Sequence, residues 1–418
     1  MTTGLGFRIT PVVCVAVLTS FVTVMSAITG GGQVALAEPV PREGYSLTLV
    51  ADGIHAPHTL RTAPDGRTFL LQQGGRVRII AHGTLRAKAA LRIPDDQIIA
   101  MNGSAGLLGI AFPPGFRSAA TQYVYLLYTH APMLGYAYRH NVVTRWQING
   151  NVIDPSSEDI LIHLDPLVTD TGGFATEHYG GDMEFGADGK LYVTTGDISK
   201  AGNSQSFKNR HGKVLRYNPN GSIPSDNPFY ATTTGRNRAI WTYGFRNPFK
   251  LAIDKLSGQM VLGDVGDHQF EEVNVLSTGA GGSNYGWPLY EGPTSTPGFV
   301  SPIYAYPHSD QAPVFGCSVI GGDIYRPRTP TFPDITEGDF IFADLCEGWL
   351  RTVDPGTGDL GPVLVSGLYL PVDASVTRNG SIYIIQRQLA EGVPGAVFRL
   401  DYTGMATRTG LGSTLSLR

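Results

Sequence analysis

Charged residues are scarce in this chain of 418 residues. They make up 16%, well below the roughly one quarter of an ordinary soluble domain. No basic run is long enough to follow a phosphate backbone, and the formal net charge is -4, so nucleic acid is not an expected partner. Cysteine is rarer still, at three residues. Beyond Val24 no apolar run reaches the length of about 20 residues that a membrane span needs. The Gly-x-Ser-x-Gly elbow, the P-loop and the dinucleotide fingerprint are all missing in their required contexts. What is abundant is glycine, 53 residues, and proline, 28, with 10% aromatics. Disorder needs more charge and fewer aromatics. A helical bundle needs far less Gly and Pro. The composition is that of an all-β protein of many short strands.

The opening residues read as an export signal. Arg8 supplies the positive charge, an interrupted apolar run extends from Ile9 to Val24, and Ala35-Leu36-Ala37 fits a cleavage site before Glu38. Met25-Ser26-Ala27 offers an earlier cut, and an uncleaved anchor is the alternative. The expectation is residues 1–37 as signal, 45–403 as the folded domain and 404–418 as a tail, in a secreted or periplasmic protein with no stable membrane span after cleavage. Cys14 leaves with the signal. Cys317 and Cys346 remain, and an even number in an exported chain favours a disulfide. Both lie in strand-like runs, 315–320 and 340–346, that fit adjacent strands of one sheet. Two free buried thiols are the alternative, and the spacing for a zinc site is missing.

A turn motif recurs between apolar runs. Asp65-Gly66, Asp188-Gly189 and Asn379-Gly380 each sit between two alternating strands, because Gly in a tight turn tolerates positive φ. Weaker strand pairs begin at Leu107, Leu251 and Val319. Third strand-like runs follow, such as 75–80, 213–217 and 396–400. Six such units over the chain, with no linker between them, predict a single six-bladed β-propeller. A tandem of β-sandwiches would need a boundary near the middle, where the repeats continue. Asn102, Asn220 and Asn379 each open an Asn-Gly-Ser triplet, read first as turns.

Three segments carry candidate chemistry. His178 lies in a Gly-flanked loop before one strand, and Asp197 follows its hairpin partner. Their similar distances from the Asp188-Gly189 turn place both at one end of the sheet. A carboxylate that accepts from one imidazole nitrogen fixes the tautomer and makes the other nitrogen a general base. A structural or solvated loop histidine is the alternative. Arg246, framed by Gly244 and Pro248, suits a developing oxyanion or a carboxylate, or else an interblade salt bridge. The run from Gly263 through Asp264, Gly266, Asp267, Glu271 and Glu272 to Asn284-Tyr285-Gly286-Trp287-Pro288 offers hard oxygen ligands for Ca²⁺, although not in EF-hand spacing. A solvated acidic loop is the plainer reading.

At these residues the sequence resembles the soluble quinoprotein glucose/sorbosone and aldose sugar dehydrogenases. The likeness runs through Gly106-Leu107-Leu108-Gly109, the His178 loop to Gly196-Asp197, Tyr243-Gly244-Phe245-Arg246-Asn247-Pro248, Gly263-Asp264-Val265-Gly266, Glu272-Val273-Asn274 and Asn284 to Pro288. It implies a six-bladed propeller binding pyrroloquinoline quinone and Ca²⁺ in the channel mouth. His178 would take the proton of a sugar's anomeric hydroxyl, Asp197 would orient it, and hydride would pass to the quinone. Arg246 and Asn247 would hold the quinone oxygens. Main-chain oxygens of Gly266 and Asp267 would bind the cofactor Ca²⁺, while Glu272 and the Tyr285 carbonyl would form a second, structural site.

The family's glucose enzymes hold the quinone carboxylates with a Lys and two Arg, and place a Gln ahead of the Gly-Leu-Leu-Gly run. The matching positions here are Cys346, Leu370, Val372 and Ser104, so Ser104 stands among the expected quinone contacts. A cysteine at 346 paired with Cys317 resembles the extracellular branch. The expected activity is oxidation of an aldose to its lactone, with a small sugar and an external electron acceptor as partners. A non-catalytic extracellular propeller that binds carbohydrate or protein is the alternative. A calcium-dependent lactone hydrolase would need side-chain metal ligands at the channel centre, and that set is not found.

Overall fold

A computed structural model describes residues 38–100, 104–117, 122–130, 139–169, 173–276, 279, 281–308, 312–387 and 395–404. The expected signal with Cys14, residues 405–418 of the expected tail, and Asn102 lie outside the described residues. Among those described, no helix is long and apolar enough to cross a membrane.

The compact unit Glu38–Arg418 is a six-bladed β-propeller, with six antiparallel sheets. Each blade opens with a hairpin. The inner strands are Pro57–Thr62, Leu107–Ala111, Met183–Phe185, Pro248–Ile253, Val319–Ile324 and Pro371–Val376. Their partners are Thr68–Gln72, Gln122–His130, Leu191–Thr195, Met260–Asp264, Phe340–Asp344 and Ile382–Gln386. These are the six strand pairs that the sequence predicts, three of them with the Gly turn and three without, and the third runs at 76–81, 213–217 and 395–402 are strands as well. Not foreseen is how the ring closes. Tyr45–Ile54 pairs with Gly395–Tyr402 to complete the sixth blade, joining the two ends of the domain. Val40–Pro41, ahead of the expected boundary at 45, pairs with Val365–Ser366 in the fifth.

Apolar side chains fill the spaces between blades. Phe69, Leu71, Ile110, Leu126 and Trp146 form part of one such cluster between the first two blades. Burial of each is worth roughly 1.5–3 kcal/mol. Cys317 and Cys346 form a disulfide with Cα atoms 5.8 Å apart, across the first hairpin of the fifth blade.

The inner strands converge on an axis that is charged rather than apolar. Arg61 Nη2 in the first blade binds Asp182 Oδ2 at 2.8 Å, and that carboxylate also accepts from Leu251 N in the fourth at 3.0 Å. Lys250 Nζ lies 3.1 Å from Asp373 Oδ2, donates to Thr59 Oγ1 at 2.8 Å, and is 1% exposed. Asp373 also accepts from Leu60 N at 2.8 Å, so one carboxylate links the first, fourth and sixth blades. Removing one member of such a pair leaves a buried charge uncompensated. Asp373→Ala is therefore expected to cost about 3–5 kcal/mol in urea denaturation, and the Lys250→Met/Asp373→Ala pair clearly less than the sum of the two single changes.

Candidate active site

An antiparallel hairpin returns to the end from which it starts. Residues just before each inner strand and just after its partner therefore share one rim of the ring. Ser104, His178, Asp197, Arg246, Asn247, Gly266, Asp267, Cys317 and Cys346 all lie in such positions.

His178 Nδ1 lies 2.8 Å from Asp197 Oδ1. A carboxylate only accepts, so Nδ1 carries the hydrogen, which in the neutral ring leaves the lone pair on Nε2. Asp197 is buried and held on both oxygens. Ser199 N donates to Oδ1 at 2.8 Å, and the Trp287 indole Nε1 to Oδ2 at 2.9 Å. On the other side of the ring, Nε2 lies 3.9 Å from the exposed Glu177 carboxylate, beyond hydrogen-bond reach. The loop around this pair is tightly wound. His178, Ile198 and Ser199 have φ of 56°, 57° and 58°, a region that non-glycine residues seldom occupy. Ile198 N donates to His178 O at 3.2 Å. Gly196 permits the crossing, because a Cβ there would overlap the His178 carbonyl.

Arg246 and Asn247 are locked against this loop. Asp197 N donates to Arg246 O at 2.8 Å, and Gly180 N to Asn247 Oδ1 at 3.2 Å. The buried Asp264 accepts from Arg246 N at 3.0 Å and Asn247 N at 2.7 Å. The guanidinium donates to Asp267 Oδ1 at 2.9 Å and lies 5.8 Å from the Trp287 ring centroid. The imidazole, its carboxylate and the guanidinium thus belong to one hydrogen-bonded group. Ser104 stands on the same rim ahead of Leu107, with no hydrogen bond to that group among the described residues.

The acidic segment is folded around Glu291. Its Oε1 accepts from the backbone N–H groups of Asp267, His268, Gln269 and Phe270 at 2.7–3.3 Å. Against the effect of burial, these donors hold the Glu291 carboxyl below its ordinary value. Peptide planarity then turns the carbonyls of 266–269 the opposite way, so the Gly266 and Asp267 oxygens face away from Glu291. Glu272 accepts from Gly292 N at 2.6 Å and Asn274 Nδ2 at 3.1 Å. Burial, with the Glu291 and Glu271 charges adding to it, pushes its carboxyl up to about 7. Such an acid, among other acids, has the donor chemistry of a hard cation site, which Ca²⁺ would fit. Tyr285 stacks on Phe245 with centroids 4.7 Å apart, and Tyr285 N donates to Tyr243 O at 2.9 Å. The one group of three metal-type side chains among the described residues is Cys317, Asp344 and Cys346, and two of these are joined to each other.

Two of the three positions without cations have structural explanations. Cys346 is in the disulfide, and Val372 is buried with Leu60, Leu70 and Ile385 between blades. Sequence reasoning did not assign Trp287 or Glu291 a role of its own, and read Asp264 only as part of the acidic run. Trp287 and Asp264 lie in quoted motifs. Glu291 has no local signal, since its donors come from 21 to 24 residues away.

The profile of the glucose/sorbosone dehydrogenase family matches residues 54–353. HIPL2 protein of Arabidopsis thaliana is 31% identical over 241 residues, covering 49% of this chain and 34% of that protein. An aldose sugar dehydrogenase of Escherichia coli is 27% identical over 245 residues, 58% of this chain and 62% of its own length. The chain thus spans about a third to three fifths of the length of these curated relatives. Among solved structures, the PQQ-bound aldose sugar dehydrogenase of Streptomyces coelicolor superposes with a TM-score of 0.65 at 23% identity, over 87% of this chain and 99% of that one.

Overpacking at a crossing this close costs about 1–3 kcal/mol. Gly196→Ala is expected to lower stability by that amount in chemical denaturation. It should also break the His178–Asp197 contact, which the crystal structure of the variant would show as a displaced imidazole.

Proposed function

Since the chain belongs to the glucose/sorbosone dehydrogenase family, we propose that it is a quinone-dependent sugar dehydrogenase that oxidises the anomeric hydroxyl of an aldose to the lactone. The observation that carries this reading is the 2.8 Å contact between His178 and Asp197 in a loop bonded to Arg246 and Asn247. The printed names of the Escherichia coli and Streptomyces coelicolor relatives favour an aldose as substrate and pyrroloquinoline quinone as cofactor. Arg246, Asn247 and Ser104 would hold the quinone. The main-chain oxygens of Gly266 and Asp267 would hold its Ca²⁺, and Glu272 with the Tyr285 carbonyl a second one. When bound, the quinone supplies a two-electron hydride acceptor and Ca²⁺ a Lewis acid beside it.

The chain's own part is proton transfer and orientation. Asp197 accepts from Nδ1, which leaves Nε2 basic and aimed by a fixed ring. Nε2 takes the proton of the anomeric hydroxyl as the C1 hydrogen leaves with its electron pair and the C1 carbonyl forms. The imidazolium that results faces Asp197, whose charge stabilises it until the proton passes to solvent. Arg246 lends positive charge where negative charge collects. An external electron acceptor completes the cycle. The disulfide favours an oxidising compartment, in line with export directed by residues 1–37.

The test is reconstitution of the purified protein with pyrroloquinoline quinone and Ca²⁺, followed by aldose-dependent dye reduction. His178→Ala is expected to abolish turnover at a modest cost in melting temperature, and Asp197→Asn to lower kcat by about 10²–10⁴-fold. Neither cofactor binding by titration nor turnover with any aldose would overturn the reading and favour a carbohydrate- or protein-binding module.

A further inference from the structure

His178 and its partners occupy one mouth of the channel. The opposite mouth lies where the inner strands end, and it opens on a hollow of about 420 Å³ lined from five of the six blades. Three acids line it, and each is already engaged. Glu184 accepts from Arg61 Nη1 at 3.3 Å and Ile253 N at 2.9 Å, and pairs with Lys255 Nζ at 2.5 Å. Asp254 accepts from Arg326 Nη2 at 2.8 Å and Ser257 Oγ at 2.7 Å. Asp323 accepts from Ile324 N at 2.9 Å and Val376 N at 3.0 Å.

Two cations of the lining have no acid of their own. Arg328 and Arg378 border the same hollow, and neither side chain makes a hydrogen bond or ion pair among the described residues. A third donor is unmet there, because Arg326 Nε is buried without a hydrogen-bond partner. The two free guanidiniums come from neighbouring blades. Arg328 follows the inner strand Val319–Ile324 of the fifth blade, and Arg378 follows Pro371–Val376 of the sixth. Arg328 N donates to Arg378 O at 2.9 Å, which sets the two residues side by side. Their backbones are held in place. Thr331 N and Phe332 N donate to the hydroxyl of the buried Tyr325 at 2.9 and 3.2 Å, which fixes the loop after Arg328. The Asn379-Gly380 turn packs against that loop, where a Cβ on Gly380 would stand 2.7 Å from Thr329 O. Across the seam with the first blade, the Arg378 stem crosses the Asp65-Gly66 turn, where a Cβ on Gly66 would stand 3.3 Å from Arg378 Cδ. Two of the glycine turns that mark the repeats therefore also border this hollow. Adjacent guanidiniums with no acid between them repel each other, and an anion held by both relieves that repulsion. Each fork matches the oxygens of a phosphate or a carboxylate in two parallel hydrogen bonds.

We propose that the channel mouth opposite His178 binds a small oxyanion, a phosphate or a carboxylate, between Arg328 and Arg378. This goes beyond the enzyme reading and does not depend on it. The test is calorimetry on the whole purified protein at low salt, with inorganic phosphate and gluconate as the two probes. Binding of one or both is expected: phosphate alone identifies a phosphate ligand, gluconate alone a sugar acid, and both a site that reads the oxyanion itself. Arg328→Gln and Arg378→Gln are each expected to weaken that binding by roughly 10-fold or more, the worth of a charge-assisted hydrogen bond. Unchanged binding in either variant would put the anion elsewhere and overturn the assignment, as would a wild type that binds neither probe. If a variant does not fold, a wild-type crystal soaked in selenate decides. Anomalous density between the two guanidiniums upholds the site, and its absence there ends it.

Discussion

A hairpin strand that runs in from the rim and back out to it fixes where chemistry can happen in this protein. With six such hairpins around one axis, twelve loop ends meet at one face, and residues far apart in the chain become neighbours there. His178 and Asp197 are brought together by a single hairpin. Arg246 joins them from the next blade, because its carbonyl accepts the Asp197 amide. Gln73 and Arg387 meet only because the ring closes, with Tyr45–Ile54 laid against Gly395–Tyr402.

The rim loops have little regular structure, and carboxylates do the work that sheet ladders do elsewhere. Asp264 gathers the amides of Arg246 and Asn247. Glu291 gathers those of four successive residues. Asp344 gathers the amides of Cys317, Ser318, Cys346 and Glu347, with the Tyr306 hydroxyl added. A carboxylate accepting several backbone donors satisfies groups that a buried loop would otherwise leave unpaired. The consequence is a face that is both rigid and negative. Loop order and the charge of the proposed cofactor would therefore pull against each other.

The parts legible in the sequence are those written in local pattern. Alternating apolar runs mark all six hairpins, three of them with an Asp-Gly or Asn-Gly turn, and similar distances from one turn bring His178 to Asp197. What is not legible depends on contacts between distant residues. The closing strand at Tyr45 looks like any other amphipathic run, and only its pairing with Gly395–Tyr402 gives it a role. Glu291 lies in a loop whose importance comes from donors in another loop. A position-by-position comparison finds Leu370 and Val372 where cations are expected. It does not reveal that Val372 faces an apolar seam, or that Arg387 meets the Leu370 carbonyl from the adjoining strand.

The strain around His178 follows from the same economy of space. His178 and two non-glycine neighbours, Ile198 and Ser199, hold positive φ, an arrangement that costs of order 1–3 kcal/mol each and persists only where the surroundings determine it fully. Here the surroundings are Asp197 and its donors. The carboxylate takes Ser199 N within the strained turn, Trp287 from another blade and the imidazole itself. Removing any one donor loosens the turn as well as the ring, so the base and its backbone cannot be relaxed separately. On the proposed reading, a histidine held in this way would meet its substrate already oriented. The energy that orients it comes from the folding of three loops and not from substrate binding.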